Sequence, residues 1–568
     1  MLGFFSKDRI VAEPGFNRWR VPPASIAIHL CIGSVYAWSI FNTPLQRAHG
    51  VVISSSDDWT LAQVVRTFTV AIICLGLSAA VAGKWIERVG PRTVGIVAAI
   101  CWGSGFLIAA LGIHLHQLWL VYFGYGVVGG CGLGLGYVSP VSTLIRWFPD
   151  RRGMATGMAI MGFGGGALVG TPLIKTLLNV FYRAPQYLGV EGTVADVTTN
   201  AAGVQFVELA GQLHEVVVLS TQEALVRAGS PPAGLYVVGT GNSGAAATFV
   251  ALGIGYFFVM LVAALFYRIP APDWKPQGWA PPDERLSTRK MISTAVVGIS
   301  AATRTPQFSL LWIVLCFNVT AGIGILGVAK TMMVEIFGDT LREKQISVDG
   351  FAEVFVLMTS LANLGGRFFW ASVSDHVGRK TTYTVFFVAG IALYLSIPWT
   401  AHRTGLSSDV TPLVLFYAAT MLIFTMYGGG FATIPAYLAD LFGSKFVGGI
   451  HGRLLTAWSI AGLLGPFALT SLRERAVGHA LHRLAAAVDP QQFIERFHVS
   501  AENLDALIAA KTVTIPKLME IAPPGTIDPT ATVYNSTMFL MAALLAVALV
   551  ANLLVRPVDA RHHERAGS

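Results

Sequence analysis

Residues 350–380 run GFAEVFVLMTSLANLGGRFFWASVSDHVGRK. The apolar part is long enough to cross a bilayer, which takes about 20 residues. Yet it holds Asn363 and Arg367, one helical turn apart and on one face. A cation in hydrocarbon costs roughly 2.5–3.5 kcal/mol even on permissive insertion scales, so it faces a cavity or a partner rather than lipid. The charged connection ASVSDHVGRK (371–380) follows.

The rest of the chain repeats this pattern. Of 568 residues, 54% are hydrophobic and 12% charged, with a mean hydropathy of +0.61; a soluble domain carries about 25% charged residues. Spans are expected near 22–42, 61–82, 93–113, 118–145, 154–178, 245–268, 307–328, 350–374, 381–400, 411–438, 453–472 and 535–556. The connections alternate in charge. One side collects Arg18, Arg20, Lys84, Arg88, Arg92, Arg146, Arg151, Arg152, Arg285, Arg289, Lys290, Arg379, Lys380, Lys445, Arg556 and Arg561. That side is the expected cytoplasmic one, with both termini on it, in an inner (plasma) membrane. The net charge of +8 is therefore a topology signal and not a nucleic-acid footprint.

The expected division is a cytoplasmic N-terminus (1–21), a six-helix bundle (22–268), a cytoplasmic linker (269–306), a second six-helix bundle (307–556) and a cytoplasmic tail (557–568). Two polar insertions, 179–244 and 473–534, fall on the opposite face and contain no span. Their expected role is to cap that face, with a docking surface or substrate vestibule as the alternative. In the second, Asp489-Pro490 predicts an N-cap opening a helix over QQFIERF, and AENLDALIAA predicts another short helix.

The two halves echo each other. GKWIERVGPR (83–92) follows the second span and ASVSDHVGRK (371–380) the eighth, while Pro140 matches Pro435 and Pro172 matches Pro466. Such a six-span repeat is a property of secondary transporters, which place substrate near the midplane between halves.

Both loop copies resemble the Gly-x-x-x-Asp-Arg-x-Gly-x-Arg signature of the major facilitator superfamily, with Glu87 for aspartate in the first and Ala371 and His376 departing in the second. GSVYAWSIFNTPLQ, GLGYVSPV, GTGNSGAAATF, NVTAGIGILGVA, NLGGRFFWASVSD, FATIPAYLADLFG and LLTAWSIAGLLGP resemble the oxalate/formate antiporter family, a relation of the monocarboxylate transporters. The resemblance implies an all-α polytopic membrane protein of twelve transmembrane helices in two pseudo-symmetric six-helix bundles. It also implies a small carboxylate as substrate.

Arg367 is the principal candidate, since guanidinium is permanently charged and offers a planar fork matched to carboxylate. The resemblance agrees, because these carriers use an arginine at this place. Asn363 stands where proton-coupled members carry an aspartate; asparagine takes up no proton, which favours exchange. Trp458 stands where oxalate-carrying members have a lysine, so the second cation is missing. Lys330, in GVAKTMMVEIF, is a substitute if it turns inward; otherwise it snorkels to the interface. Tyr36, Trp38, Tyr137 and Tyr427 are candidate pocket walls. His29 reads as a packing residue. Glu87, Arg88, Arg92, Asp375 and Arg379 form a candidate inner latch, the bland alternative being loop retention.

The five cysteines lie in apolar segments, with no metal-ligand spacing, and no cofactor is expected. No clustered nucleophile and base points to an enzyme. The expected activity is carboxylate transport by a monomer, by exchange. The rivals are a proton-coupled lactate/pyruvate-type symporter and a carboxylate-sensing receptor.

Overall fold

The computed structural model describes residues 7–148, 152–194, 196–225, 231–271, 274–278, 296–404, 409–443 and 446–563. The apolar stretches become helices because a backbone in lipid must satisfy its own hydrogen bonds. Among the described residues, eleven helices are long and apolar enough to cross a membrane, twelve when a bent pair at the start is counted as one span.

That pair is α1 (Val21–Gly33) and α2 (Ser39–Gln46), joined by a 3-10 turn over Ser34–Ala37 and bent by 50°. Then come α3 (Leu61–Val89) and α4 (Pro91–His114). The next span joins α5 (Leu118–Val121), a π-helical segment (Tyr122–Gly129) and α6 (Gly130–Trp147). α7 (Arg152–Gly164) and α8 (Gly166–Phe181) are one span broken at Gly165. A short α9 (Thr221–Leu225) lies in the first insertion, and α10 (Ala245–Leu265) closes this bundle.

After α11 (Ile299–Ala302), the second bundle holds α12 (Pro306–Glu343), α13 (Val348–Val377), α14 (Arg379–Thr404) and α15 (Thr411–Phe442). It continues through α16 (Val447–Leu454) and α17 (Thr456–Ala487). The second insertion carries α18 (Pro490–Phe497), α19 (Leu504–Ala509) and α20 (Ile515–Glu520), and α21 (Asn535–Leu554) ends the bundle.

The repeat seen in the sequence recurs in the backbone. Gly90 joins α3 to α4 at φ 82°, and Gly378 joins α13 to α14 at φ 90°, a conformation that glycine adopts without a Cβ penalty. Pro140 and Pro435 sit inside α6 and α15, and Pro172 and Pro466 inside α8 and α17.

The first insertion is a five-stranded antiparallel sheet that the sequence analysis did not assign. Its strands are β1 (Tyr187–Gly189), β2 (Val197–Thr199), β3 (Gln205–Leu209), β4 (Gln212–Leu219) and β5 (Gly234–Val237), in spatial order β1-β5-β4-β3-β2. Ala210 (φ 52°) and Gly211 (φ 80°) make a two-residue hairpin with both positions left-handed, matching the twist of β3 and β4. In the second insertion α17 overruns its expected end at 472 and continues to Ala487, while Asp489 caps α18 as expected by accepting from the Gln491 and Gln492 amides.

The two insertions meet at one end of the molecule. Arg496 pairs with Glu191 at 3.1 Å and the Thr514 hydroxyl donates to Glu223 at 3.3 Å, while Lys511 reaches the carbonyls of Ser55 and Asp58 in the connection between α2 and α3.

Candidate functional site

Two helix breaks create the site. α1 gives way to the 3-10 turn at Ser34, and α7 ends at Gly164. The segments cross so tightly there that a Cβ on Gly33 or Gly166 would run into the backbone of the other. Tyr36 lies in the turn, and carbonyls at the end of α7 are left for partners in the second half. Ser360 of α13 donates to Gly164 O at 2.8 Å.

Arg367 comes in beside that break. It is 1% exposed. Its Nε donates to Asn363 Oδ1 at 3.2 Å and its Nη1 to Ile160 O at 3.2 Å. A Cβ on Gly164 would lie 2.8 Å from Nε, so glycine is what admits the guanidinium. Nη2 is buried with no hydrogen-bond partner, and no acidic side chain pairs with the arginine among the described residues. A buried cation held by neutral groups alone is incompletely compensated.

Aromatic rings enclose it. Tyr36, Phe163, Tyr137, Trp458, Phe431 and Tyr427 form a closed circuit, with successive ring centroids 5.1, 5.5, 5.5, 4.5, 5.3 and 6.2 Å apart. Three of these come from each half of the chain. The Tyr36 and Tyr427 hydroxyls meet at 3.1 Å, closing it by a hydrogen bond. The Arg367 guanidinium carbon lies 5.4 Å from the Phe431 centroid, within cation–π range. Beside Arg367 Nη2, three further buried donor groups lack partners among the described residues: Asn363 Nδ2, Tyr137 Oη and Trp458 Nε1. The unsatisfied groups are N–H and O–H donors, which is what an anion requires.

Other candidates are placed differently. Trp38 is buried among Phe41, Tyr125 and Phe249, inside the first bundle and away from this circuit. Lys330 lies against Glu353 at 3.2 Å and Asp349 at 3.1 Å. It is ion-paired within its own half, which is neither a lone snorkel nor a free second cation. His29 contacts Tyr137 O at 3.2 Å and packs on the Tyr137 and Phe163 rings.

Of the latch residues, the side chains of Glu87, Arg88 and Asp375 lie outside the described residues. Arg92 donates to Tyr267 O at 3.2 Å inside the first bundle. Arg379 meets Asp440 of α15 at 3.4 Å and also bonds Ser374.

The sequence analysis passed over several residues that the structure places at the seam. Glu353 also pairs with Lys175 of α8, at 2.5 Å, so one carboxylate joins Lys330 of its own half to a lysine of the other half. The signal was present: both Lys175 and Glu353 are charges inside apolar runs, the same feature that singled out Arg367. Phe163 and Phe431 carried no such mark, since a phenylalanine in a span is ordinary.

The sequence profile of the Major Facilitator Superfamily matches residues 25–190 and 218–466. A chain from Escherichia coli named "Uncharacterized MFS-type transporter YhjX" is 24% identical over 79% of this chain and 86% of its own length. The "Oxalate:formate antiporter" of Oxalobacter formigenes is 23% identical over 79% of this chain and 83% of its own. "Apicoplast pyruvate carrier 1" of Toxoplasma gondii is 22% identical over 80% and 83%. Among solved structures, a bacterial homolog of the human lysosomal transporter Spinster, inward-facing and unoccupied, superposes with a TM-score of 0.54. It covers 95% of this chain and 97% of its own at 15% identity, a likeness of fold alone.

Proposed function

The chain belongs to the Major Facilitator Superfamily of membrane transporters, and from that premise we propose that it moves small carboxylates by alternating access, with Arg367 as the substrate's counter-ion. The observation that carries this reading is the partnerless Nη2 of a buried arginine, ringed by unsatisfied donors at the seam of the two halves. Two relatives in the same size class are named for carboxylates, one for oxalate and formate and one for pyruvate.

Each half contributes three rings to the circuit, so rocking of the halves opens it on one side or the other. Substrate neutralises the guanidinium and makes the closed state cheaper to reach. The empty carrier then changes sides poorly, and exchange follows. Asn363 takes up no proton, and Trp458 supplies no second charge. Both favour a monocarboxylate exchanger. The insertions then lie on the outer face, both termini in the cytoplasm, and the carrier in the plasma membrane.

The test is a panel of labelled carboxylates, from formate to oxalate and lactate, in proteoliposomes with and without internal counter-substrate. Uptake should require internal carboxylate. Uptake driven by a pH gradient into empty vesicles would replace exchange by symport. Binding without movement would make the protein a receptor.

A further inference from the structure

We propose that the seam between the two insertions is a second anion site, which takes a carboxylate of one or two carbons against Lys517. The site is independent of the Arg367 reading. A cavity of ≈ 60 Å³ opens there, lined among others by Ser54, Gln205, Glu215, Arg496, Lys511 and Lys517. One water needs about 10–15 Å³ on this measure, so there is room for roughly four heavy atoms.

Lys517 is the reason to expect an anion. It is 7% exposed, and its Nζ makes one hydrogen bond, to Thr512 O at 3.4 Å. No acidic side chain pairs with it among the described residues. Burying an ammonium on one long carbonyl contact is unfavourable unless a counter-ion completes it. Lys511 is served by carbonyls as well, those of Ser55 and Asp58. Burial pulls its ammonium below the ordinary lysine range despite the nearby Asp58, Asp57 and Glu215.

The carboxylates around the cavity are already engaged. Glu191 takes Arg496 at 3.1 and 3.3 Å, and Arg496 also reaches Glu520 at 3.4 Å. Glu215 accepts from the Ser56 amide at 3.0 Å. Asp58 accepts from the amides of His49, Gly50 and Ser55, each at 2.9 Å. Gln205 of β3 also lines the cavity, so the first half of the chain supplies part of its wall. The lysines come from the second half of the chain and Gln205 from the first, so a bound anion would tie the halves together at this end.

The experiment is calorimetric titration of formate into the full-length carrier in nanodiscs, in an Arg367→Ala background that removes the membrane site. One saturable event should remain. Adding Lys517→Gln should weaken it roughly tenfold or more, and Lys517→Arg should keep it. Formate should outcompete equimolar chloride. The proposal fails if the Arg367→Ala protein shows no saturable formate binding, if Lys517→Gln binds as before, or if chloride displaces formate at parity. Should Lys517→Gln not fold, Lys511→Gln, which removes the other lysine on the cavity wall, decides by the same criterion.

Discussion

Arg367 donates through Nε to Asn363 Oδ1, one turn earlier on the same helix, at 3.2 Å. An amide holds the guanidinium in place without cancelling its charge. A carboxylate at that position would do both.

Asn363→Asp should therefore seal the site. At neutral pH the new ion pair competes with substrate, and KM should rise roughly tenfold. Protonating the aspartate frees the arginine, so transport should recover as the pH falls. Flux assays across pH in proteoliposomes check this; a variant with the wild-type profile would show that Asn363 does not face the transported anion.

Arg367→Lys keeps the charge and loses the fork. Exchange should fall by about 10- to 100-fold at equal protein insertion, the worth of one charge-assisted contact. Wild-type flux would remove the arginine from the mechanism.

Gly164→Ala places a Cβ 2.8 Å from Arg367 Nε. The guanidinium must shift, so KM should rise several-fold while expression and the melting temperature change little. An unchanged KM would mean that the arginine's position is not critical for binding.

Lys175 and Glu353 join the halves at 2.5 Å on the side of the insertions. Replacing both by cysteine, with the five native cysteines removed, should allow a short bifunctional methanethiosulfonate, which spans the length the two side chains cover, to cross-link the halves and arrest exchange. Reductant should restore it. Cross-linked protein moving substrate at the uncross-linked rate would show that this contact does not open in the cycle.

His49 stacks on His116 at 3.8 Å, and His116 on Trp59 at 4.5 Å, beside the seam. Burial first, and then His116, hold the His49 imidazole below its ordinary value of about 6.5, against the pull of Asp58, Asp57 and Glu215. As pH falls through that value, unfolded chains take up a proton that folded His49 resists, so stability drops on acidification and rises with pH. The melting temperature should fall between about pH 7.5 and 5.5, less so in His49→Gln. An equal fall in both proteins would assign the effect elsewhere.

Much of this was legible in the sequence, and the limits have physical causes. Spans declare themselves through length and apolarity, and the cost of an intramembrane charge singles out Arg367. Asp489-Pro490 fixes the start of α18 through local cap chemistry. The aromatic circuit was only half visible. Tyr36, Tyr137 and Tyr427 stood out as aromatics with a hydroxyl and Trp458 as the residue in place of a lysine, but Phe163 and Phe431 join them only through the crossing of distant helices. Trp38 shares the motif with Tyr36 and yet turns away, because the 3-10 turn between α1 and α2 redirects successive side chains. The sheet in the first insertion escaped because its strands are short and its pairing is non-local, apart from the hairpin at Ala210-Gly211.

The sheet hangs from one bundle and the helical insertion from the other, and Arg496 and Glu191 mark where they touch. If the halves rock as proposed, their separation is a calliper on the cycle, readable by a pair of fluorophores in water that leave the membrane path untouched. A ligand that halts the carrier would fix the calliper at one setting, so screening for inhibitors could proceed without any transport assay.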